Sequence, residues 1–178
     1  MVTIALIEQL NYLLAIGGIC TVLATLFLIY DIRGSRILAN QIAKYGMQVA
    51  LLITLFASVM TLLYSEVFGV IPCGLCWFER VMLYPQVLMV LVALYVKDAL
   101  MPRYGITLSI VGACISLYHH FIQMGGSQFI KCPTAGAGAD CAKRFFFEFG
   151  FMTFPLLSAF LFIFLIVLYT YLLKVRTH

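Results

Sequence analysis

The residues best suited to chemistry are two cysteines separated by two residues, Cys73 and Cys76. A helix that begins beside them would bring unpaired N–H groups and a partial positive charge to the sulfurs, which stabilises a thiolate. The thiolate is the reactive species, and the short spacing lets the pair close a disulfide and reopen it. The spacing therefore predicts a redox pair, although half of a zinc site or a static bridge would share it.

Two neighbouring residues favour the redox interpretation. Pro72 immediately precedes the pair and helps to set the turn into the helix. Arg80 follows Cys76 by four residues, so both lie on one helix face about one turn apart. A permanent cation just inside a membrane is costly, and we expect it to face a thiolate or a polar cofactor head group. The alternatives are that Arg80 extends to the interface or pairs with Glu79.

A second cysteine pair, Cys132 and Cys141, lies in a Gly- and Pro-containing loop beside basic residues. The pair either staples this loop or forms an exchangeable disulfide that accepts electrons from a soluble thiol protein and passes them to Cys73 and Cys76. A four-cysteine zinc site is a further alternative, although its spacing is loose for one.

The remaining cysteines and two histidines are weaker candidates. Cys20 and Cys114 fall inside apolar stretches, and we expect them to be inert packing residues. His119 and His120 come near the end of another apolar stretch. One of them could donate a hydrogen bond to a carbonyl of a bound cofactor, or both could be histidines of the membrane interface.

The composition places these residues in a membrane protein. Of 178 residues, 64% are hydrophobic and 10% are charged, whereas soluble domains are roughly half apolar and about a quarter charged. The mean hydropathy is +1.08. A membrane-spanning helix needs about 20 apolar residues, so a chain of 178 residues has room for about five such helices. The net charge of +4 is scattered, so no basic stripe indicates nucleic acid as a partner.

The apolar stretches predict five spans and one long loop. The first stretch has no basic segment before it and contains Glu8, so we interpret it as a retained helix rather than a signal peptide. Residues 125–148 have loop composition and precede the last span. The predicted spans are about 11–30, 45–68, 77–96, 104–124 and 150–173.

The basic residues predict the orientation, because cytoplasmic loops carry the excess of Lys and Arg. The side richer in basic residues should be the cytoplasmic side of the plasma membrane, which places the N-terminus outside and the C-terminus inside. Cys73, Cys76, Cys132 and Cys141 should then face the extracytosolic compartment, which permits disulfides. The richer side holds Arg33, Arg36, Lys44, Lys97, Arg103, Lys174 and Arg176, and the other holds Lys131, Lys143 and Arg144, with Arg80 just below that surface.

Several motifs, taken together, resemble the DsbB/BdbC family of membrane disulfide bond formation proteins. The first is Ile71-Pro-Cys-Gly-Leu-Cys-Trp-Phe-Glu-Arg80 followed by Val-Met-Leu-Tyr-Pro85. Tyr118-His119 with Gln123, the two loop cysteines, and Phe149-Gly-Phe-Met-Thr-Phe-Pro155 follow in the family's order. The motifs cover roughly residues 46–173, and the short loop is more similar to the BdbC branch.

The resemblance implies an activity and a role for each site residue. It implies an enzyme that reoxidises an extracytosolic thioredoxin-fold thiol oxidase, DsbA/BdbD-like, and gives the electrons to a membrane quinone, menaquinone or ubiquinone. Cys132 and Cys141 would accept electrons from the partner, and Cys73 and Cys76 would pass them on, with Cys76 as the thiolate that faces the quinone. Arg80 and His119 would contact the quinone, and no metal is expected.

One departure from the family and two alternatives remain. The fold expected is an all-α membrane protein: a four-helix bundle at 45–178 plus an additional N-terminal transmembrane helix at 1–44 that core members lack. A vitamin K epoxide reductase-like protein is the nearest alternative, but there the loop pair precedes the Cys-x-x-Cys. A non-enzymatic membrane scaffold with a structural four-cysteine site is the other.

Overall fold

The computed structural model describes residues 2–34, 36–129, 132 and 140–176, with side chains from residue 7 to residue 175 of these ranges. Lys131 and the segment 136–138 of the loop lie outside the described residues, as does the side chain of Arg176. The described residues form five long helices and no strand. The helices are α1 (Val2–Arg33), α2 (Ala39–Leu62), α3 (Gly74–Val96), α4 (Met101–Gln123) and α5 (Phe154–Arg176).

Each of the five helices is long and apolar enough to cross a membrane, which confirms the predicted all-α membrane fold. The chain is thus a multi-pass membrane protein. Short connections join α1 to α4 in order, so consecutive helices run in opposite directions. We call the end at Cys73, Gln123 and Phe154 the cysteine end, and the end at Arg33 and Lys97 the basic end.

All five helices begin before or after the predicted residue, and for two of them the structure shows a local reason. The third helix begins at Gly74 rather than at about residue 77, because Cys73 caps its first turn. The fifth begins at Phe154 rather than at about residue 150. Before it, Phe149 and Gly150 adopt positive φ angles of 53° and 76°, and the Thr153 hydroxyl accepts a hydrogen bond from the Leu156 N–H at 3.3 Å, as an N-cap does.

The helix α2 ends in a single π-helical turn, Leu63–Val67, at the cysteine end. Such turns are frequent at functional sites. Here the turn carries the buried side chain of Tyr64, whose hydroxyl donates to Asn11 Oδ1 at 2.6 Å. The turn therefore links α2 to α1 beside the cysteines.

The core lies where α5 packs against the other helices. Gly105 and Gly112 of α4 face the rings of Tyr169 and Phe162, and a Cβ at either glycine would come within 2.5 Å of the ring. Small residues at such positions let two membrane helices approach closely. Tyr169 and Ser109 also donate to Gln86 Oε1, each at 3.3 Å, so α3, α4 and α5 share one buried polar contact.

A buried carboxylate anchors α1 at the basic end. Asp31 accepts hydrogen bonds from the N–H groups of Ile37 and Leu38 at 2.8 and 3.1 Å, just before α2 begins. The Tyr171 hydroxyl of α5 donates to the same carboxylate. Three donors from outside α1 thus converge on one side chain, which joins α1 to α5 and to the connection that leads into α2.

We predict that Asp31→Ala lowers the midpoint of thermal unfolding in detergent by several degrees, because the buried Tyr171 hydroxyl and two partly buried backbone N–H groups lose their acceptor. Asp98→Ala at the same end is the matched control, since Asp98 accepts a single hydrogen bond in the loop, from the Leu100 N–H at 2.8 Å. Differential scanning fluorimetry with a thiol dye measures both. Equal midpoints for the two variants would contradict the anchoring role.

Candidate functional site

The first cysteine of the Cys-x-x-Cys pair caps helix α3. Cys73 has an extended backbone, with φ −75° and ψ 172°, and the backbone N–H of Cys76 donates to its sulfur at 3.3 Å. The sulfur thereby occupies the position that a Ser or Asp oxygen takes at an ordinary N-cap. A negative charge on this sulfur lies at the positive end of the helix dipole.

The two sulfurs of this pair are unbonded and lie 2.7 Å apart. A disulfide is about 2.05 Å long, so oxidation requires a small displacement of either side chain. Cys73 is buried and Cys76 is partly buried. The pair is therefore held ready for closure within the protein.

A histidine and a carboxylate continue the site from Cys73. His119 of α4 is 1% exposed, and its Nε2 lies 3.5 Å from Cys73 Sγ. Its Nδ1 lies 2.7 Å from Glu79 Oε1. An ionised carboxylate only accepts hydrogen bonds, so Nδ1 donates to Glu79 and Nε2 faces the sulfur. The arrangement resembles a nucleophile, a base and a carboxylate that orients the base.

These contacts favour the ionised form of Cys73. Its pKa lies well below the ordinary value of 9.0, chiefly through the hydrogen bond with the Cys76 side chain and further through His119 and the Cys76 N–H. Burial opposes this shift. The resemblance implied that Cys76 is the thiolate, whereas in the unbonded pair it is the Cys73 sulfur that the surroundings stabilise as an anion.

Arg80 is buried one turn further along α3. Its Nη2 donates to the carbonyl oxygen of Thr61 at 2.8 Å, and its guanidinium lies 5.3 Å from the ring of Trp77. Within the described part of the chain, it forms no ion pair. The alternative that Arg80 pairs with Glu79 is wrong, because Glu79 turns toward His119 instead. Most of the guanidinium's donors are thus left for a ligand.

The second pair, Cys132 and Cys141, forms a disulfide in the structure. Cys141 is fully buried in one cluster with Cys73, Leu75 and Ile122, and both Cys76 and Cys132 pack against this cluster. The two pairs are therefore in one packed region, although about 60 residues separate them in the chain. This proximity could not be read from the spacing of either pair.

The loop is also fixed to the bundle beyond its disulfide. Phe146 is buried and stacks on Phe154 with ring centroids 4.7 Å apart. Together with Met152 it packs against Ala15 of α1. The Gln123 side chain donates to the Lys143 carbonyl at 3.2 Å. The segment after Cys141 is therefore attached to three helices.

A cavity of about 320 Å³ opens beside the two sulfurs. At the cysteine end its lining is polar, and the Gln123 Oε1 there is buried without a hydrogen-bond partner in the described residues. Away from the cysteines the lining is largely apolar. The polar lining residues include Cys73, Cys76, Glu79, Arg80, His119 and Gln123, and the apolar ones include Ile53, Phe56, Met60, Leu83, Leu161 and Phe162.

The structure therefore brings together all six site residues that the sequence analysis selected. It adds Glu79, which was considered only as a partner for Arg80, and the Thr61 carbonyl. The signal for Glu79 was its position, since an acid inside an apolar span is expected to have a functional partner. His120 lies apart from the sulfurs, and its Nδ1 contacts the Thr153 hydroxyl at 2.8 Å.

One expectation and one alternative about the cysteines are not met by the structure. Cys20 and Cys114 are exposed on the outer surface of the helices rather than buried in the packing, because their positions in α1 and α4 point away from the bundle. A four-cysteine zinc site is also not what the structure forms, since two of the sulfurs are bonded to each other. The described group that could hold an ion is Cys73, Cys76 and His119.

The chain matches the family model described as disulfide bond formation protein DsbB over residues 44–172. It is 36% identical over 124 residues to disulfide bond formation protein C of Bacillus subtilis (strain 168), covering 68% of this chain and 87% of that protein. It is 36% identical over 107 residues to the SPbeta prophage-derived disulfide bond formation protein B of the same strain, covering 60% and 71%.

A third relative is the probable disulfide formation protein of Metapseudomonas resinovorans, at 30% identity over 117 residues, covering 66% of this chain and 81% of that protein. No solved structure matches the chain. The helix α1 lies outside the residues that the family model matches.

These matches confirm the resemblance drawn from the motifs rather than the alternative of a vitamin K epoxide reductase-like protein. Two cysteine pairs meet at one end of a membrane helix bundle, and the matched region contains both pairs and the residues around them. The chain belongs to the DsbB family of disulfide bond formation proteins and is a membrane disulfide oxidoreductase.

Proposed function

We propose that the chain takes electrons from an extracytosolic thioredoxin-fold thiol oxidase and delivers them to a membrane quinone. In this proposal Cys132 and Cys141 accept the electrons, and Cys73 and Cys76 pass them on. The single observation that carries the proposal is that both cysteine pairs share one packed cluster beside a cavity with a buried cation. The division of the chain into an additional helix at 1–44 and a bundle at 45–178 is part of it.

The cavity fits a quinone by its chemistry. A quinone has a polar ring with two carbonyl acceptors and an apolar tail, and the lining is polar beside the sulfurs and apolar beyond them. Arg80 has donors to offer to a carbonyl, and the unpartnered Gln123 Oε1 can accept from a hydroxyl. We therefore expect Arg80, Gln123 and the sulfurs to hold the ring. A quinone bound there supplies a two-electron, two-proton acceptor.

The first step exchanges a disulfide with the partner. Two partner thiols reduce the Cys132 and Cys141 disulfide, so the partner leaves with a disulfide and the loop pair holds two thiols. The loop pair then reduces a Cys73 and Cys76 disulfide and closes again. In the structure the two loop sulfurs are bonded to each other, and the two inner sulfurs are not.

The inner pair then loses two electrons and two protons as its sulfurs bond to each other. His119 is positioned to take the proton of Cys73, and Glu79 holds the imidazole in the required orientation and stabilises the imidazolium. In the earlier mixed disulfide, before the loop pair closes again, Cys73 is bonded to a loop sulfur and Cys76 is released as the free sulfur, on the same helix face as Arg80. We therefore assign Cys76 as the thiolate that faces the quinone.

The loop charges support the orientation. The basic end carries Arg33, Arg36, Lys97 and Arg103, and cytoplasmic loops carry the excess of basic residues. We propose that the basic end and the C-terminus are cytoplasmic, that the N-terminus is outside, and that the cysteine end faces the extracytosolic compartment of the plasma membrane. Disulfides form there, and a soluble thiol oxidase can reach the loop.

The central test mixes the purified protein with a quinone, a reduced thioredoxin-fold partner and a chelator. The absorbance of the quinone reports the rate at which it is reduced. The chelator is needed because Cys73, Cys76 and His119 could bind an ion. We predict that Cys76→Ser lowers the rate by at least about a hundredfold, on the scale of losing a group that acts directly in the reaction. Cys114→Ser, an exposed cysteine on α4, is the matched control and should retain the full rate.

A wild-type rate in Cys76→Ser would contradict the proposed mechanism. Slow reduction by Cys114→Ser as well would mean that the loss is not specific to the site. In either case the assignment of the inner pair would be withdrawn.

The order of transfer is tested at the loop. We predict that Cys132→Ala stops reduction by the protein partner, because the exchangeable disulfide is gone, whereas dithiothreitol still reduces the inner pair and drives quinone reduction. Thiol labelling of Cys73 and Cys76 after each reductant reports which pair was reached. Loss of both activities would argue against a relay from the loop to the inner pair.

The lowered pKa of Cys73 predicts a pH profile. A thiol whose pKa is lowered stays ionised as the pH falls below 9.0, so alkylation of Cys73 by iodoacetamide should remain fast well below that pH. His119 helps to lower this pKa, so His119→Ala should raise it and move the inflection of the profile to higher pH. His120→Ala is the matched control, because His120 contacts Thr153 and not the sulfur.

Peptide mass spectrometry resolves the alkylation of Cys73 from that of the other cysteines in the reduced protein. If His119→Ala and His120→Ala gave the same profile as the wild type, the contact between His119 and the sulfur would have no chemical role.

A further inference from the structure

The additional helix α1 contributes directly to the cavity beside the cysteines. Four of its residues line the cavity together with residues of the other four helices. The helix lies outside the region that the family model matches. This chain therefore has a cavity wall that its matched region does not supply. The lining residues from α1 are Leu14, Gly17, Gly18 and Thr21.

The cavity is elongated along the helices rather than rounded. On α2 its lining extends from Ser65 to Ile53, and on α1 from Leu14 to Thr21. At 1.5 Å per residue these stretches correspond to roughly 18 Å and 10 Å along the bundle. Its polar end is at the sulfurs, so the apolar remainder leads from the cysteine end toward the middle of the membrane.

A second apolar space follows the cavity along the line where α1, α2 and α5 meet, which we call the seam. It measures about 280 Å³ and is lined by α1, α2 and α5 closer to the basic end, for example by Ala24, Leu28, Ile42 and Leu168. The two spaces thus follow one another between the same three helices. This succession suits a long, linear, apolar chain whose polar end lies at the cysteines.

The position of α1 is fixed by contacts at both ends of the seam. Asn11 accepts a hydrogen bond from Tyr64 at the cysteine end, and Asp31 accepts from Ile37, Leu38 and Tyr171 at the basic end. Between these anchors, Gly18 packs so closely on Leu157 of α5 that a Cβ would come within 2.4 Å of it. The cavity wall that α1 forms is therefore held in place by contacts with the rest of the helix bundle.

Gly17 is a position on α1 beside which the cavity has unoccupied space. It lines the cavity, and a Cβ at this position would meet no atom within 4 Å. Gly17 is exposed, and the first carbon of a side chain at this position would thus enter open space without a collision in the protein. Gly18 differs from Gly17, because the lack of a side chain there allows α1 to pack closely against Leu157 of α5.

We propose that α1 forms one wall of a groove for the isoprenoid tail of the quinone, and that the absence of a side chain at Gly17 keeps this groove wide enough. The inference rests on the proposed function, because the quinone ring must lie at the sulfurs for its tail to enter the apolar part. The tail then runs between α1 and α2, with α5 as the floor. Gly17 and Thr21 are specificity residues for the tail and take no part in the electron transfer.

The test compares two quinones that share a ring and differ in their tail: a menaquinone with a long isoprenoid tail, and menadione, which has none. Binding is followed by quenching of the fluorescence of Trp77, the single tryptophan, which lies next to Cys76 and near Arg80. The protein is the full chain in nanodiscs of fixed lipid composition. The wild type should bind the tailed quinone more tightly than menadione.

We expect Gly17→Leu to weaken binding of the tailed quinone at least about tenfold, close to the effect of 1.4 kcal/mol, while its affinity for menadione stays within twofold of the wild type. Thr21→Leu should act in the same direction. Cys20→Leu is the matched control on α1, because Cys20 is exposed and does not line the cavity, and it should bind both quinones as the wild type does.

The outcomes separate the inference from the proposed function. If Gly17→Leu and Thr21→Leu bound the tailed quinone with wild-type affinity, α1 would not be a wall of the tail groove, although the ring site could stand. If the wild type bound neither quinone, the proposed function itself would fail. If Gly17→Leu instead released bound phospholipid, seen by mass spectrometry, with unchanged quinone affinity, the occupant would be a lipid acyl chain and the inference would be overturned.

Discussion

The rest of the site depends on the sulfur that caps α3. In a membrane protein every buried polar group must find its partner within the protein, and a cysteine at the first turn of a helix finds one in the unpaired N–H groups there. Cys73 accepts from the Cys76 N–H and faces His119, which in turn is held by Glu79. The same contacts that satisfy these groups also stabilise the thiolate that disulfide exchange requires.

The same constraint explains the polar residues elsewhere in the bundle. Gln86 accepts from residues of α4 and α5, and Asp31 joins α1 to α5 and to the connection that leads into α2. Each of these side chains lies where at least two helices meet, because only there can a polar group in an apolar core be satisfied. The anchors keep the helices in the arrangement that places the two cysteine pairs in one cluster.

Arg80 is an informative exception to this pattern, as is the Gln123 Oε1 beside it in the cavity, which has no hydrogen-bond partner among the described residues. Arg80 is buried with a backbone carbonyl and an aromatic ring as its described contacts, and it forms no ion pair among the described residues. A cation in this setting is costly unless a ligand or substrate supplies the missing partner. Arg80 thus keeps hydrogen-bond donors available beside the cavity, as the proposed quinone site requires.

The sequence by itself determined the membrane class and the five helices, and it selected the residues that the structure brings together at the candidate site. Apolar runs of spanning length dictate helices in a bilayer, and the Cys-x-x-Cys before one of them indicates thiol chemistry. Contacts between segments that are distant in the chain could not be predicted from the sequence. Only the tertiary structure decided that Glu79 orients His119, that Cys141 meets Cys73, and that α1 lines the cavity, because these contacts depend on how helices rotate and pack, which spacing along one chain does not specify.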